Sequence, residues 1–197
     1  MSKTLILLFH RDLSKSKANA SLRSAAETID NVEIVDMQAR YPDGEINMFT
    51  DGEVEAAMLL NADRIVLQFP IQWYSTPALL KAWQDAVLTR MYYIFAENEG
   101  NKLVGTPLMI AATAGNIPSA YTREGTNYFS VDELLNPLKA TAYRCGLPWA
   151  EPFVVFEADK LEPDALTAVG DRYIQALQQF ITATPKAKTS EVIHSND

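Results

Sequence analysis

The pattern of apolar and polar residues along this chain predicts five strands, each followed by a helix. Apolar runs typical of strands buried on both faces occupy Leu5–Phe9, Val32–Asp36, Arg64–Gln68, Leu108–Ala112 and Phe153–Phe156. Apolar residues at helical spacing predict helices over Ala18–Ile29, Asp51–Leu60, Ala78–Arg90, Asp132–Cys145 and Pro163–Ile181. This alternation favours an α/β fold, with a parallel sheet covered by helices on both faces.

The same periodicity predicts which helical residues face the core. In the helix over Asp51–Leu60 we expect the inward side chains to be Val54, Ala57, Met58, Leu59 and Leu60. In the helix over Asp132–Cys145 we expect Leu134, Leu135, Leu138, Ala142 and Cys145, with Gly146 as its C-terminal cap. One domain over residues 1–183 is predicted, followed by a polar tail over 184–197 that we expect to be disordered.

Strand order is not fixed by periodicity, but five strands suit the flavodoxin-like order 2-1-3-4-5. In that order a ligand binds where strands one and three meet, outside their carboxyl ends. The loops after His10 and after Phe69 would then be neighbours, with the turn at Thr113 beside them. Three loops converging on one edge would make a site for a flat, anionic ligand.

Composition narrows the function classes. The chain has 197 residues, 48% of them hydrophobic and 21% charged, with a net charge of -8. The negative charge argues against nucleic acid and against anionic membranes as partners. One cysteine allows no internal disulfide and indicates a reducing compartment. Two distant histidines give no metal-ligand spacing. The sequence shows neither a signal-peptide cleavage site nor an apolar run of about 18 residues, the length of a membrane span. A cytoplasmic protein is therefore expected.

The stretch Phe69–Pro77 is the most informative segment of the chain. Pro70 ends a strand because it has no N–H to donate to the sheet, and Pro77 suits the first turn of the following helix. Between the two prolines we expect several backbone N–H groups without regular partners. Those groups could bond the heteroatoms of a flat polar ring, with Trp73 and Tyr74 packed on it. The alternative is that both aromatics are ordinary core residues.

The loop after the first strand is polar and basic. The predicted helix start and the donors of Ser14, Ser16, Lys17 and Asn19 could together bind an anion. The loop contains no glycine, so it is neither a P-loop nor a dinucleotide-binding fingerprint. His10 would be a hydrogen-bonded residue at a strand end if no ligand binds there.

Four motifs in order along the chain resemble the NAD(P)H:quinone oxidoreductase family of flavodoxin-like flavoproteins. The small bacterial members, including ancillary subunits of glutathione-gated potassium efflux systems, are the most similar in length. The resemblance covers almost the whole chain from His10 to Phe156. Its motifs are His10 with Ser16-x-x-Asn19-x-x-Leu22, then Phe69-Pro70-Ile71-Gln72-Trp73-Tyr74-Ser75-x-Pro77, then Thr113-x-Gly115, and Ala140-Thr141-Ala142-Tyr143-x-Cys145-Gly146.

The resemblance implies a role for each matching residue. The flavin phosphate would be held by His10, Ser16, Lys17, Ala18 and Asn19. The isoalloxazine ring would be bound near O4 and N5, mostly through backbone groups, by Ile71, Gln72, Trp73 and Tyr74. Near N1 and O2 it would be bound by Thr113, Ala114, Gly115 and Asn116. A tyrosine close to flavin O2 corresponds to Tyr121, which is a catalytic candidate or else a packing residue of its loop.

Three positions depart from the family pattern. The double glycine after the fourth strand is Gly115-Asn116 here, and its second threonine is Ala114. The histidine that pairs with the tyrosine in several members falls at about Asn127. Gly44-Glu45 replaces an apolar residue after Tyr41-Pro42-Asp43. We expect these changes to affect substrate choice and rate more than flavin binding.

The implied activity is a two-electron transfer of hydride from NADH or NADPH to flavin N5, and from there to a quinone or to nitro or azo compounds. FMN is favoured over FAD because a short chain leaves little room for an adenosine pocket. A homodimer is expected from the apolar stretch Met91–Phe95. Two other functions stay open: a regulatory ancillary subunit docked on a membrane transporter at the inner face of the membrane, and a one-electron flavodoxin carrier.

Overall fold

A five-stranded, all-parallel sheet is the centre of the computed structural model, which describes residues 2–184. Its strands are β1 Thr4–Leu8, β2 Val32–Asp36, β3 Arg64–Pro70, β4 Leu108–Thr113 and β5 Phe153–Val155, in the order β2-β1-β3-β4-β5. Every adjacent pair is parallel, with Leu5 opposite Ile65 and Ile65 opposite Leu108 in the register. The predicted fold class and strand order are therefore confirmed. The predicted tail lies, except for Thr184, outside the described residues and stays a prediction.

Helices cover both faces of the sheet. They are α1 Lys17–Ala26, α2 Met37–Arg40, α3 Asp51–Leu60, α4 Ala78–Trp83, α5 Asn101–Leu103, α6 Val131–Leu134, α7 Asn136–Arg144 and α8 Pro163–Ala183. One core layer contains Leu7, Leu67, Trp83 and Leu138, and the other, under α1 and α8, contains Ile6, Val66 and Tyr173. No helix among residues 2–184 is long and apolar enough to cross a membrane.

The helix predicted over Ala78–Arg90 extends further than its periodicity indicated. After α4 the chain continues through three wide π-helical segments, Gln84–Leu88, Arg90–Ile94 and Ala96–Gly100. A period of 3.6 does not describe such turns, because each hydrogen bond spans five residues. Gly100 permits the last one, since a Cβ there would lie 2.6 Å from the Met91 carbonyl oxygen.

Two further helix predictions were partly wrong. The segment Asp132–Cys145 is two helices, α6 and α7, which part at Leu135 ahead of Pro137, a proline that supplies no N–H for continuing one helix. In α3, Val54 and Ala57 point to solvent, while Ala56 and Leu59 face the core.

A buried charge explains the rotation of α3. Glu55 is fully buried, and its carboxylate accepts hydrogen bonds from the Tyr41 hydroxyl at 2.8 Å and Trp83 Nε1 at 2.9 Å. Arg40 Nε lies 2.7 Å from the same carboxylate. Hydrophobic periodicity could not find this face, because it treats a glutamate as an outward residue.

Candidate functional site

The exits of β1, β3 and β4 meet at one edge of the sheet. Beyond the strands, the Phe9 N–H donates to Gln68 O at 2.8 Å and the Ile71 N–H donates to Thr113 O at 2.8 Å. Two open clefts, of about 310 and 370 Å³, adjoin there and share Ile71 and Gly115 in their walls. The structure therefore brings the three predicted loops together.

The first cleft contains most of the residues predicted around a phosphate. Its lining consists of His10, Lys15, Ser16, Lys17, Ala18, Asn19, Pro70, Ile71, Thr113, Ala114, Gly115, Ala158 and Asp159. We call it the phosphate cleft. Lys15 and Asp159 were not singled out from the sequence, because nothing in the chain order marks them as neighbours of His10.

The start of α1 opens into the phosphate cleft. Ser16 is the N-terminal cap, and its side-chain oxygen accepts the Asn19 N–H at 3.1 Å. The N–H groups of Lys17 and Ala18 have no intrahelical partner, as in any first helical turn. Lys15 is paired with Asp12 at 2.8 Å, whereas Lys17 has no ion pair within residues 2–184. An anion in the cleft would meet two amides, the positive end of the helix dipole and the Lys17 cation, with the Asp159 carboxylate as the one opposing charge in the lining.

The imidazole ring of His10 is neutral, and its Nε2–H group is free to donate a hydrogen bond. Its Nδ1 accepts the Asp12 N–H at 3.1 Å, so the ring proton of the neutral imidazole is on Nε2. Partial burial lowers the pKa of His10 below its usual 6.5, against the opposing influence of Asp12 and Asp36. At neutral pH the imidazole is therefore uncharged, with an N–H to offer a phosphate oxygen.

The side chain of Asn19 points away from the phosphate cleft and into the protein. Its amide donates to Thr113 Oγ1 at 2.9 Å, and Gln68 Nε2 donates to the Asn19 carbonyl at 3.1 Å. The Tyr173 hydroxyl completes the group by donating to Gln68 Oε1 at 3.3 Å. These four residues form what we call the polar latch, which connects α1, β3, β4 and α8. Asn19 and Thr113 thus shape the cleft from behind, through side chains that are already hydrogen-bonded.

The segment after β3 folds back on itself as a tight hairpin. Gln72 and Ser75 exchange backbone hydrogen bonds of 2.9 and 3.0 Å, which leaves Trp73 and Tyr74 as the two turn residues. Both have positive φ angles, 45° and 66°. Two left-handed residues in a two-residue hairpin define a type I′ turn, which is normally built from asparagine and glycine.

The hairpin decides which backbone groups remain available. The N–H groups of Ile71 and Gln72 are used, by Thr113 and Ser75 respectively. The N–H groups of Trp73 and Tyr74 at the tip have no backbone partner among the described residues. The expectation of several free N–H groups therefore narrows to three, those of Trp73, Tyr74 and Thr76, of which the first two are at the tip. The side chains of the two tip residues are also accessible, Trp73 being 93% exposed, so neither is a core aromatic.

The second cleft lies beside this hairpin tip. It is lined by Ile71, Trp73, Tyr74, Gly115, Asn116, Tyr121, Asn127 and Lys160. We call it the ring cleft. Burial raises the pKa of Tyr121, nearby Tyr74 adds to that effect, and a hydrogen bond from the Asn116 backbone opposes it. Tyr121 also packs on Phe156, with ring centroids 5.6 Å apart. Its hydroxyl consequently keeps its proton at neutral pH.

Asn127, the residue at about the position where the resemblance implies a histidine, lines the ring cleft. The Tyr74 hydroxyl lies 3.5 Å from its side-chain oxygen, a long hydrogen bond. An amide does not titrate, so Asn127 can position a partner but cannot carry a proton. Lys160 was missed from the sequence, because only the packing of the loop after β5 brings it to this wall.

The dimensions and donors of the two clefts fit a flavin mononucleotide. An anion site with a helix start, a lysine and an imidazole adjoins an open slot with two N–H groups and two aromatic side chains. FMN has the corresponding parts, a phosphate joined by a short chain to a flat polar ring.

Comparison with known proteins agrees with this geometry. A model of the flavodoxin-like fold family matches residues 2–181. The chain is 37% identical over 172 residues to the glutathione-regulated potassium-efflux system ancillary protein KefG of Pectobacterium atrosepticum, covering 87% of this chain and 90% of that one.

Two solved structures are similar throughout. General stress protein 14 of Treponema denticola in complex with FMN has a TM-score of 0.77 and 30% identity, covering 93% of this chain and 99% of that one. An NADPH-quinone reductase from P. pentosaceus has a TM-score of 0.73 and 30% identity, covering 88% and 96%. The chain belongs to the flavodoxin-like fold family, as its motifs indicated.

Proposed function

We propose that this protein is an FMN-dependent NAD(P)H:quinone oxidoreductase. The observation that carries the proposal is the adjacency of the phosphate cleft and the ring cleft at the exits of β1, β3 and β4. The relatives support it, since one is an NADPH-quinone reductase and another binds FMN. FMN is preferred to FAD because a similar solved structure, general stress protein 14 of Treponema denticola, is a complex with FMN.

In this proposal the residues that line the two clefts bind different parts of the cofactor. The first amides of α1, Lys17 and His10 Nε2–H hold the phosphate. The N–H groups of Trp73 and Tyr74 would bind one edge of the ring, and Gly115 and Asn116 would line the other. The bound flavin supplies the hydride chemistry, accepting from the nicotinamide and giving to the acceptor. The residues of the chain orient it and leave one face open for both substrates in turn.

Tyr121 is the proposed catalytic side chain. Its raised pKa keeps the hydroxyl protonated in the neutral range, so it can donate a hydrogen bond to an oxygen that gains negative charge during the reaction. Asn127 stands where a titrating partner stands in several relatives of the family, so Tyr121 acts here without an imidazole.

Anaerobic titration of the FMN-loaded protein with NADPH and with NADH tests the activity. We expect near-stoichiometric bleaching of the flavin band with at least one of them, and recovery when a benzoquinone is added. Tyr121→Phe should bind FMN as tightly as the wild type and turn over quinone more slowly. A protein that takes up neither FMN nor FAD would refute the proposal.

A second function, that of an ancillary subunit of a potassium-efflux transporter at the inner face of the membrane, is favoured by the 37% identity to KefG. Co-purification of the protein with such a transporter, from cells that express both, would support it. Recovery of the protein only in the fraction without the transporter would contradict it. In either case the reductase proposal is tested separately, by the flavin titration.

The homodimer remains part of this proposal. A groove of about 420 Å³ between the π-helical segments and α7 reaches the hairpin at Tyr74 and Ser75. Tyr93 in its lining is 71% exposed, and Tyr143 on α7 is 90% exposed. A second copy of the chain would bury these rings. Light scattering at micromolar concentration should give twice the mass of 21.9 kDa, and a monomer would refute the dimer.

A further inference from the structure

The loop after β5 places a cation in the wall of the ring cleft. Glu157 N–H donates to Asn116 O at 3.1 Å, and Ala158 N–H donates to Ala114 O at 3.1 Å, so this loop is bonded directly to the loop after β4. The Lys160 N–H then donates to Glu157 O at 2.8 Å, closing a turn in which Glu157 has a φ of 52°. Lys160 is therefore held against the Gly115–Asn116 end of the cleft.

Lys160 is the one charged side chain among the eight residues that line this cleft. No aspartate or glutamate shares the wall with it, since the neighbouring Asp159 lines the phosphate cleft instead. It also forms no ion pair with any residue in the range 2–184, unlike Lys15 and Lys139, which pair with Asp12 and Asp132. Its ammonium group is thus not held in an ion pair within the described residues, although the Asp159 carboxylate lies near the shared Gly115, with Oδ1 3.8 Å from where a Cβ on that glycine would be.

We propose that Lys160 is the residue that balances the charge of the reduced cofactor. This inference rests on the proposed function. In the proposed reaction NAD(P)H would transfer a hydride, that is two electrons and one proton, to the bound flavin, which would thereby gain one negative charge. The Tyr121 hydroxyl and the Asn127 amide are both neutral, so Lys160 alone among the lining side chains offers a full opposite charge.

The position explains how this chain can do without the family's histidine. An imidazole at the site of Asn127 could become positive and face the ring from the loop before α6. Here the positive charge comes from the loop after β5, further along the chain than both Tyr121 and Asn127. The cation that would face the reduced ring is then an ammonium group rather than an imidazolium.

The affinity for sulfite measures how well Lys160 stabilises a negatively charged flavin ring, and it requires no turnover. Sulfite adds to oxidised flavin and leaves the ring with a negative charge. We compare FMN-loaded wild type, Lys160→Met, Lys160→Arg and the control Lys102→Met, a substitution on exposed α5 outside both clefts. The expected dissociation constant for sulfite rises about tenfold in Lys160→Met, which is about 30 mV in a two-electron potential. It stays near the wild-type value in Lys160→Arg and Lys102→Met.

The midpoint potential of each loaded protein, measured by dye equilibration, should fall in Lys160→Met alone. Equal sulfite constants and potentials in Lys160→Met and wild type would overturn the inference. So would a Lys160→Met protein that no longer binds FMN, since Lys160 would then hold the cofactor in both redox states. Failure of the proposed function is recognised separately, by a wild type that binds no FMN.

Discussion

At the residue scale, the unusual feature is the conformation of Trp73 and Tyr74. Left-handed backbone angles cost a residue other than glycine about 1 to 3 kcal/mol when the surroundings enforce them. Here the hydrogen bonds between Gln72 and Ser75 enforce them twice in succession. The result is a tip on which two N–H groups and two aromatic rings are presented to the ring cleft.

Replacing both tip residues should separate stability from binding. In Trp73→Asn combined with Tyr74→Gly, the turn has the residues that a type I′ hairpin prefers, so we expect the free energy of unfolding of the FMN-free protein to rise by about 1 to 3 kcal/mol. FMN affinity should fall, because the ring loses its aromatic neighbours. Urea unfolding and FMN fluorescence quenching measure the two effects.

The control for this variant is Asn31→Gly, at another left-handed position with a φ of 62°, outside both clefts. It should leave FMN affinity unchanged. Unaltered or lower stability of the double variant would show that the hairpin is not strained.

His10 predicts a dependence of stability on pH. Its pKa in the folded protein is below 6.5, while the unfolded chain has the ordinary value. Below pH 6.5 the unfolded state therefore binds more protons, and the free energy of unfolding falls as the pH drops toward the folded pKa. In His10→Asn, whose side-chain oxygen can still accept the Asp12 N–H, this contribution is absent.

Urea midpoints of the FMN-free proteins at pH 7.5 and 5.5 test the sign. The wild type should lose more stability than His10→Asn between the two values. Equal losses would mean that His10 titrates alike in both states.

At the element scale, α3 is fixed by one buried carboxylate. Glu55 joins it to Arg40 and Tyr41 at the C-terminal end of α2 and to Trp83 in α4. Trp83 in turn packs edge-on against Phe9, with ring centroids 5.9 Å apart, directly before His10. Burial raises the pKa of Tyr41 to about 12, so its hydroxyl remains a donor to this carboxylate.

Glu55→Gln should lower the free energy of unfolding by about 2 to 4 kcal/mol, because an amide cannot accept from all three donors and leaves Arg40 without its counter-charge. Glu53→Gln, on the same helix, is the matched control. Its side chain is 73% exposed and makes only a long contact of 3.9 Å to Arg90, so we expect a change of less than about 1 kcal/mol. Thermal and urea unfolding measure both. Similar losses in the two variants would contradict the assignment.

Alanine substitutions at two glycines should change the free energy of unfolding in opposite directions. A Cβ at Gly100 would lie 2.6 Å from the Met91 carbonyl oxygen, so Gly100→Ala should destabilise the π-helical region by about 1 to 3 kcal/mol. A Cβ at Gly170 in α8 would meet Ala25 Cβ at an ordinary 3.4 Å. Gly170→Ala should therefore stabilise the protein by up to about 1 kcal/mol, through helix propensity. Unfolding curves that rank the two variants the other way would refute this account of the wide turns.

At the scale of the whole molecule, cofactor binding and folding are linked. If FMN binds only the folded state, a free concentration of 100 times the dissociation constant adds about 2.7 kcal/mol to the free energy of unfolding. Lys17→Ala removes the unpaired cation at the start of α1 and should weaken FMN about tenfold, reducing that protection by about 1.4 kcal/mol.

Lys102→Ala, an exposed lysine on α5, is the control and should retain full protection. Denaturant unfolding with and without FMN measures the difference. Equal protection in Lys17→Ala and Lys102→Ala would place the phosphate elsewhere.

The sequence predicted most of the framework of the molecule for a simple reason. Strands buried on both faces are continuous apolar runs, and β1 to β5 were each found to within two residues at either end. The wide turns after α4 and the rotation of α3 were missed, since both depend on single contacts between distant residues, at Gly100 and at Glu55.

The site residues were likewise predicted where a local motif marks them and missed where distant contacts place them. Residues carried by motifs, such as His10, Trp73 and Gly115, do line the clefts. The inward direction of Asn19 and the approach of Lys160 come from tertiary packing, which no local pattern contains. A glutamine within the apolar strand β3, Gln68, was the one available signal of the latch behind the cleft.

The polar latch has a consequence for how the cofactor arrives. Its four residues hydrogen-bond one another inside the protein: Asn19, Gln68, Thr113 and Tyr173. The cleft in front of them therefore has its shape before the cofactor binds. The cofactor should therefore bind to a preformed site, and its association rate should depend on diffusion and charge rather than on a rearrangement of the protein.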